Sequence, residues 1–313
     1  MKPTHLFGGA LALSMAALAA PVLAEYPEKP VTFIVPWPPG DLEDVLTRMI
    51  AEDFAAEYGV AAAVVNKPGG GGGPFPGAID VAMAPPDGYT IGSFVPGVPV
   101  IGHEIGIDEL TPEKFDPIGI FLTYPFVIAT AGDAPYSTME ELAAYAQEND
   151  VALGHFGDVL TPTQVTKALS AKMGFGWGSD AAFDALDCNT LASGDADVIN
   201  TTLQLILPCL DDVKVLVSIT GERISKIPDT PTIGEVEPSL DTALWNGLFV
   251  TKDTPQDVRD KIAAVAEKTV MSDRAQEVAE TTGALVYWMN AEDSAALIEA
   301  DKATLATISA LIE

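Results

Sequence analysis

The sequence predicts an α/β protein with two domains, each containing a doubly wound, mostly parallel sheet. Three observations lead to this fold class. Strand-like apolar runs alternate with helical patterns along most of the chain, which is typical of parallel sheets. A unit made of a buried strand, a glycine-bearing turn and a helix start occurs near residue 31 and again near residue 151. A proline-punctuated connector over 227–238 has a length that suits a return crossing between domains.

Composition limits the class of protein. The 313 residues are 48% hydrophobic, which is enough to build one large core or two medium ones. The 16 Lys and Arg residues are outnumbered by 45 Asp and Glu residues, so the net charge is −29. Because nucleic-acid binding needs a basic face, this balance argues against a nucleic-acid partner and indicates a solvated acidic surface.

Residues 1–24 have the pattern of a secretory signal peptide. Lys2 supplies the positive charge, 6–20 form an apolar stretch, and Val22-Leu23-Ala24 loosely fits the small-x-small cleavage rule. We therefore expect cleavage after Ala24 and export of the remaining chain. The apolar stretch is too short to span a membrane and no cysteine follows it, so we expect neither a spanning helix nor a lipid anchor.

Two cysteines, Cys188 and Cys209, remain in the exported chain. In an oxidising compartment such a pair permits a disulfide, and a loop of about 20 residues would contribute on the order of 3 kcal/mol. The alternative is two separate buried thiols. A metal site is disfavoured because the pair contains no CxxC spacing.

The first unit is a strand, a turn and a helix. The β-branched run Val31–Val35 predicts a buried strand that breaks at Pro36, and a turn through Gly40 opens a helix that ends at Gly59. Ligands of open α/β sheets bind where the carboxyl end of a strand meets a helix N-terminus, because free N–H groups converge there. Trp37 lies in this turn, where its ring would either stack on a ligand or pack between domains.

A second strand is predicted over 61–65, and the five glycines 69–73 follow it. The run is not a P-loop, because no GK[ST] follows, and no G-x-G-x-x-G dinucleotide fingerprint can be read in it. It is either backbone that closely approaches a ligand or a flexible surface loop. A helix over 77–84 and a third strand over 89–94 complete the first α/β pattern.

The middle of the chain changes direction at Tyr124-Pro125 and repeats the pattern. Ser137 is the expected N-cap of the next helix. A strand over 151–153, a glycine turn over 154–162 and a helix over 163–173 form the second unit. Two such helix N-termini that face each other across a cleft would hold a small ligand from both sides.

The last third of the chain supplies further elements. A helix over 183–193 leads to the strand Val198–Ile199, and strands are predicted over 213–219 and 244–250. Helices are expected from Thr254 and over 291–312.

A set of short motifs, each weak alone, occurs in a fixed order along the chain. They are Tyr26-Pro27-Glu28-Lys29-Pro30-Val31, Val35-Pro36-Trp37-Pro38-Pro39-Gly40 with Asp44, Asn66-Lys67-Pro68-Gly69, Pro86-Asp87-Gly88-Tyr89-Thr90, Ser193-Gly194-Asp195-Ala196-Asp197, Ile227-Pro228-Asp229-Thr230-Pro231-Thr232 and Trp245-Asn246-Gly247-Leu248. By this ordered set the chain resembles the Bug family, the periplasmic solute-binding proteins of tripartite tricarboxylate transporters.

The resemblance implies a two-lobed, Venus-flytrap fold (type II-like) that holds a small carboxylated solute between its lobes. Lobe I would comprise 25–125 and 243–313 and lobe II 126–242, with hinges at Tyr124-Pro125 and 240–245. It also implies capture by hinge closure, delivery to integral membrane transporter subunits, no cofactor, no metal and no catalytic residue. We expect a monomer.

The resemblance also implies site residues, because such proteins hold the carboxylate with N–H groups, hydroxyls and waters of the two turns. The candidate ligand-binding residues, including further positions in the turns and at strand ends, are Trp37, Pro39, Gly40, Asp41, Asp44, Gly69, Gly70, Ser93, His155, Phe156, Gly157, Asp158, Thr161, Asn200 and Thr201. Asp44 is either a turn brace or a ligand contact, and Thr161 either an N-cap or a ligand contact. His155 is either a ligand donor or a rim residue.

Two positions depart from the family pattern. Asp41 stands where the family usually has a second glycine, and Asp158 where it has small neutral residues. Each extra carboxylate would repel an anion by about 1 kcal/mol when solvated. Either these side chains point away, or they cap helices, or the solute presents an amine or another neutral or cationic group.

Two other functions stay open. A ligand-presenting partner of a membrane sensor would have the same fold, and nothing in the sequence separates it from a transport receptor. An enzyme on the same fold would need a nucleophile beside a base, but the mature chain has only His103 and His155 and no GxSxG motif. A pair of catalytic carboxylates is the remaining form of that alternative.

Overall fold

The computed structural model describes residues 25–69, 73–103, 106–183 and 185–312. The predicted signal peptide and the candidate Gly70 lie outside the described residues. Eleven strands are assigned: β1 Val31–Val35, β2 Ala62–Asn66, β3 Thr90–Phe94, β4 Phe115–Thr123, β5 Phe126–Ala131, β6 Ala152–His155, β7 Ser179–Ala182, β8 Val198–Thr202, β9 Val213–Ser218, β10 Trp245–Thr251 and β11 Leu285–Asn290.

In the described residues, ten α-helices connect or cover these strands. They are α1 Leu42–Tyr58, α2 Phe75–Ala82, α3 Met139–Ala146, α4 Thr161–Lys172, α5 Cys188–Ser193, α6 Leu203–Ile206, α7 Ile233–Val236, α8 Gln256–Val270, α9 Asp273–Thr282 and α10 Ala291–Ile312. Among these described helices, none is both long and apolar enough to cross a membrane.

The strands form two sheets, in the orders β11-β4-β10-β3-β1-β2 and β7-β6-β8-β5-β9. The two-lobed α/β class is therefore confirmed, but both sheets are mixed rather than mostly parallel. β10 runs antiparallel to β3 and β4, and β5 runs antiparallel to β8 and β9. β5 follows β4 after Tyr124-Pro125, and β10 follows the return segment from the second sheet, so both antiparallel strands lie next to the chain crossings.

The crossings lie side by side. β4 of the first sheet ends at Thr123 and β5 of the second begins at Phe126. The return segment leads into β10, and the Tyr124 N–H donates to the Leu244 carbonyl at 2.7 Å. The two segments are thus hydrogen-bonded to each other where the chain passes between the sheets.

Apolar side chains on both sheets are buried as the strand patterns predict. The larger core contains Phe33, Phe54 and Trp245, each fully buried, and a smaller core surrounds Leu186 and Ile199 of the second sheet. α10 packs against β4 of the first sheet and also against α4, which lies on the second. The C-terminal helix therefore contacts elements of both sheets.

Several local predictions need correction. α3 is capped by Thr138 rather than Ser137, because the Thr138 hydroxyl accepts the Glu141 N–H at 3.2 Å. α5 begins at Cys188 rather than 183, because the Asp187 carboxylate caps its first turn. β11 was not predicted: it pairs with β4, and such pairing across a long stretch of chain leaves little local signal.

Cys188 and Cys209 form a disulfide, and their Cα atoms are 5.9 Å apart. The bond joins the start of α5 to the segment that follows α6. It therefore closes a loop within the chain of the second sheet.

Candidate ligand-binding site

The turn between β1 and α1 is braced from inside by Asp44. This carboxylate is 2% exposed and accepts the Gly40 N–H at 2.9 Å, two Arg48 N–H groups at 2.9 Å and the Asn66 amide at 2.8 Å. Burial alone would raise the pKa of Asp44, but these donors outweigh it and the pKa lies below its usual value. Gly40 has φ +97°, which favours glycine there. Asp44 thus takes the first of its two expected roles.

Asp41 precedes the same helix but does not cap it. Its side chain is exposed and accepts no hydrogen bond from the helix N–H groups. Burial among the surrounding protein groups, and then the nearby Asp44 charge, raise the pKa of Asp41. Among the described residues, no ion-pair partner lies within reach of this carboxylate.

Glu43 lies at the end of a buried polar chain that reaches the crossings. The Tyr124 hydroxyl donates to the Glu43 carboxyl at 2.9 Å. In the amide orientation that satisfies both atoms, Asn246 Nδ2 donates to the Tyr124 hydroxyl oxygen at 3.3 Å. Its Oδ1 accepts from the Ser93 hydroxyl at 2.6 Å. The Thr47 hydroxyl donates to Ser93 at 3.0 Å. All five side chains are at least nine-tenths buried.

Burial raises the pKa of Glu43 to about 8, and the Asp41 charge adds to this effect. Glu43 is therefore protonated at neutral pH. Its buried carboxyl group adds no negative charge to the first turn under those conditions.

The turn after β6 carries a compact charged cluster. His155 is 1% exposed, and its Nε2 lies 3.3 Å from Asp180 and 3.6 Å from Asp158. The Lys167 ammonium lies 2.6 Å from Asp158 and 2.9 Å from Asp180. The Lys167 hydrogen bond is the largest cause of the lowered pKa of Asp180.

The same cluster is the best place for a metal ion among the described residues. One ligand atom from each of His155, Asp158 and Asp180 lies within 4.8 Å of the others. The Lys167 ammonium already pairs with both carboxylates, so a cation would have to displace it. The arrangement is that of an internal ion-pair network.

Buried polar atoms without hydrogen-bond partners occur at both turns. In the described part of the chain they include Trp37 Nε1, His155 Nδ1, Thr163 Oγ1 and both side-chain atoms of Asn200. Asn200 and Thr163 are fully buried. β6 runs parallel to β8 with Gly154 opposite Ile199, and His155 and Asn200 are the next residues of the two strands. Because each unpaired buried polar group costs about 1–3 kcal/mol, these atoms need a ligand or water. Trp177, Gln204 and Arg259 carry similar atoms elsewhere.

Two glycines that follow β2 and β3 approach the second turn. A Cβ atom placed on Gly73 would lie 3.2 Å from the Leu160 side chain, and one on Gly97 would lie 3.9 Å from the Thr161 hydroxyl. Glycines of the first half of the chain therefore come close to the turn before α4.

The structure brings together some predicted site residues and not others. Pro39 is exposed beside Asp41, and Phe156 and Gly157 are half-buried in the second turn. Gly69 pairs with Gly73 in an isolated bridge. Two candidates already have hydrogen-bond partners within the protein. The Ser93 hydroxyl is fully buried in the polar chain of Glu43, and the Thr201 hydroxyl donates to the Leu186 carbonyl at 2.6 Å.

Asp158 is exposed and pairs with Lys167. Its side chain is 65% exposed. The Lys167 ammonium is shared between this carboxylate and that of Asp180.

Sequence reasoning missed the residues that support the two turns. These are Glu43, Arg48, Asn66, Lys167 and Asp180. Glu43 and Thr47 lie on the helical stripe that continues as Ile50 and Phe54, so a polar pair on an apolar stripe was a readable signal. Arg48 lies one helical turn after Asp44, which is also a readable pair, whereas Asn66 and Asp180 meet their partners only through the fold.

A cavity of about 670 Å³ lies beside the crossings, lined in part by Thr123, Glu222, Ala243 and Tyr287. A smaller one of about 250 Å³ lies between α8 and β11, near Arg259. Neither is lined by a predicted site residue.

The sequence model of a protein family, the tripartite tricarboxylate transporter family receptor, matches residues 46–313. The chain belongs to this family. A relative from Pseudomonas sp. (strain P51), a UPF0065 protein in the tcbD-tcbE intergenic region, is 27% identical over 301 residues, covering 89% of this chain and 84% of the relative. A Polaromonas TctC solute-binding protein, solved without ligand, is 26% identical with a TM-score of 0.74, covering 92% of this receptor and 99% of that chain.

Two further solved structures share the receptor fold at 22% identity. One is a Rhodopseudomonas palustris protein, MatC, with bound malate, at a TM-score of 0.75 and covering 92% of this chain and all of that chain. The other is an R. palustris protein with adipate, at a TM-score of 0.77 and covering 92% of this chain and 98% of that chain.

Proposed function

We propose that this receptor captures a small carboxylated solute between its two turns by hinge closure. It would then deliver the solute to the integral membrane subunits of a tripartite tricarboxylate-type transporter. Family membership supports a periplasmic receptor, and the malate and adipate of the two R. palustris proteins support a carboxylate. No catalytic residue is proposed, and the receptor would act as a monomer.

The observation that carries this proposal is the set of unpaired buried polar atoms. Trp37 Nε1 lies just after the carboxyl end of β1, His155 is the last residue of β6, and Asn200 lies on the neighbouring strand β8; all three have unmet hydrogen-bonding capacity. A carboxylate can accept from the indole N–H and the amide N–H, which would remove the cost of leaving them unpaired.

Closure would occur about the two crossings. In this proposal lobe I comprises 25–125 and 243–313 and lobe II comprises 126–242. The hydrogen bond between the Tyr124 N–H and the Leu244 carbonyl would let both crossing segments bend together. A bound solute would favour the closed form to the extent that it contacts both turns.

Isothermal titration of residues 25–313 with small dicarboxylates and amino acids tests the proposal. Substituting Asn200→Leu removes both unpaired amide atoms at similar volume. We expect it to weaken solute binding at least tenfold, because hydrogen bonds to a charged group contribute about 1.5–3 kcal/mol. The midpoint of unfolding without solute should stay the same or rise, because an unpaired group is lost.

The matched control is Thr201→Val on the same strand. The Thr201 hydroxyl already donates to Leu186, so this change should lower stability and leave affinity unchanged. The proposal fails if no compound in the panel binds, or if Asn200→Leu binds every hit as tightly as the unaltered protein.

A further inference from the structure

The C-terminal helix α10 runs along the first sheet toward the crossings. Its Ser294 hydroxyl accepts the Ile120 N–H of β4 at 3.0 Å. Its Asp301 carboxylate accepts the indole N–H of Trp245 at 2.7 Å, and Trp245 is paired with Thr123, the last residue of β4. Between these two bonds the helix rises about 10 Å and β4 advances about 10 Å, so α10 follows β4 as far as its end.

Residues 302–312 of α10 therefore extend beyond the end of β4. They add about 16 Å to the length of the helix. Leu305 is 3% exposed and Ile308 is fully buried. These two side chains continue the buried stripe of Ile298 and Asp301 at helical spacing. The last part of α10 is thus packed against other protein groups beyond the first sheet.

The partner of this last part is α4. α10 contacts α4, and both helices contact the turn Pro238–Leu240. Leu305 and Ile308 share one hydrophobic core with α4. The α4 members of that core are fully buried and are Val165, Ala168 and Leu169. Because α4 lies on the second sheet, residues 302–312 lie on the far side of the crossings from Ser294.

The same helix reaches the neighbourhood of the second turn. α4 begins at Thr161, directly after that turn, and α10 also contacts the segment Gly97–Ile101 that follows β3. A Cβ atom placed on Gly97 would lie 3.9 Å from the Thr161 hydroxyl. α10, the segment 97–101 and the start of α4 therefore form a closed circuit of contacts.

We propose that α10 is a strap that positions the second turn relative to the first sheet. Residues 291–301 are fixed to the first sheet, whereas 302–312 pack on α4 and move with the second sheet. The strap is then a third passage between the sheets, besides the two crossings. Any change in the angle between the sheets has to bend α10 after Asp301 or break its packing on α4. The strap favours the arrangement in which the start of α4 lies beside Gly97.

Glycine substitutions in α10 test this inference, because they loosen a helix without removing a buried contact. The test variant carries Ala303→Gly and Ala306→Gly, just after Asp301. The control carries Ala295→Gly and Ala296→Gly, in the part that is fixed to the first sheet. All four alanines are exposed, so the two variants lose the same helix propensity and differ only in where they lose it.

Spin labels report the relative position of the sheets without any solute. They are placed at Met83→Cys, 68% exposed after α2, and at Ala144→Cys, exposed on α3. Cys188 and Cys209 are joined to each other and stay unlabelled. Double electron–electron resonance should show a distance distribution about twofold wider in the test variant, because α4 is no longer held by a rigid helix. The control should keep the width of the labelled protein without glycine substitutions.

Amide hydrogen exchange gives a second readout. The amides of α4 should exchange faster in the test variant than in the control, since packing on 302–312 protects them. Glycines that only loosened α10 would speed exchange in α10 alone. Thermal unfolding should give similar midpoints for the two variants, which shows that both fold.

Equal distance distributions in the two variants, whether narrow or broad, overturn the inference. Unchanged exchange in α4 also overturns it. The sheets would then be held by the crossings and by the end of α9, where a Cβ atom on Gly283 would lie 2.9 Å from Leu203 and 3.1 Å from Ile224. None of these outcomes bears on the proposed solute, because no solute is present in the experiment.

Discussion

Substituting Asp301→Asn should make the receptor more stable near neutral pH. Asp301 on α10 is 7% exposed and accepts the indole N–H of Trp245 at 2.7 Å. Burial raises its pKa from 3.8 to about 6, and the hydrogen bond from Trp245 only partly opposes this effect. The folded protein therefore binds the carboxyl proton of Asp301 more tightly than the unfolded chain does.

The sign and size follow from proton linkage. Between pH 4 and 6 the folded state holds the proton and the unfolded state has lost it, so the free energy of unfolding falls as pH rises. A shift of about two pKa units corresponds to about 3 kcal/mol. An asparagine oxygen can still accept from Trp245, but it does not titrate.

The assay is urea unfolding at several pH values from 4 to 8, followed by circular dichroism. The difference in unfolding free energy between Asp301→Asn and the unaltered protein should move by about 3 kcal/mol in favour of the variant from pH 4 to 7. Asp293→Asn, an exposed change on the same helix, is the control for loss of one carboxylate from α10. A constant difference for Asp301→Asn would refute the argument.

Two further outcomes follow from buried groups. Replacing Cys188 and Cys209 by alanine should lower the free energy of unfolding by about 3 kcal/mol, measured by urea unfolding without reductant; an unchanged midpoint would contradict this. The folded-state pKa of Glu43 is about 8, above its usual value, so the free energy of unfolding of the unaltered protein should fall as pH rises from 4.5 toward 8. Glu43→Gln should abolish this part of the pH dependence. Thermal unfolding at pH 6 and 9 would test this, and parallel shifts of the two proteins would count against it.

The parts of the fold that local patterns determine were predictable from the sequence. β1, α1 and β3 lie within a residue or two of their predicted bounds, because a β-branched run, a proline break and a terminal glycine each act over a few residues. Gly59 adopts the left-handed conformation expected of a helix end.

The parts that depend on distant partners were not predictable. The antiparallel course of β10 and the existence of β11 are set by pairing with β4, more than a hundred residues away. The same holds at the candidate site, where Asp180 and Lys167 become neighbours of His155 only after folding. Such contacts carry no short-range periodicity, so a single sequence does not reveal them.

The order of the strands has a consequence for synthesis. Every strand of the second sheet lies between Phe126 and Ser218, whereas the first sheet combines strands up to Thr123 with strands from Trp245 onward. As the chain emerges from N-terminus to C-terminus, the second sheet can complete its pairing first. The first sheet must wait for β10, which lies between β3 and β4, so its early strands stay without their central partner until most of the chain has appeared.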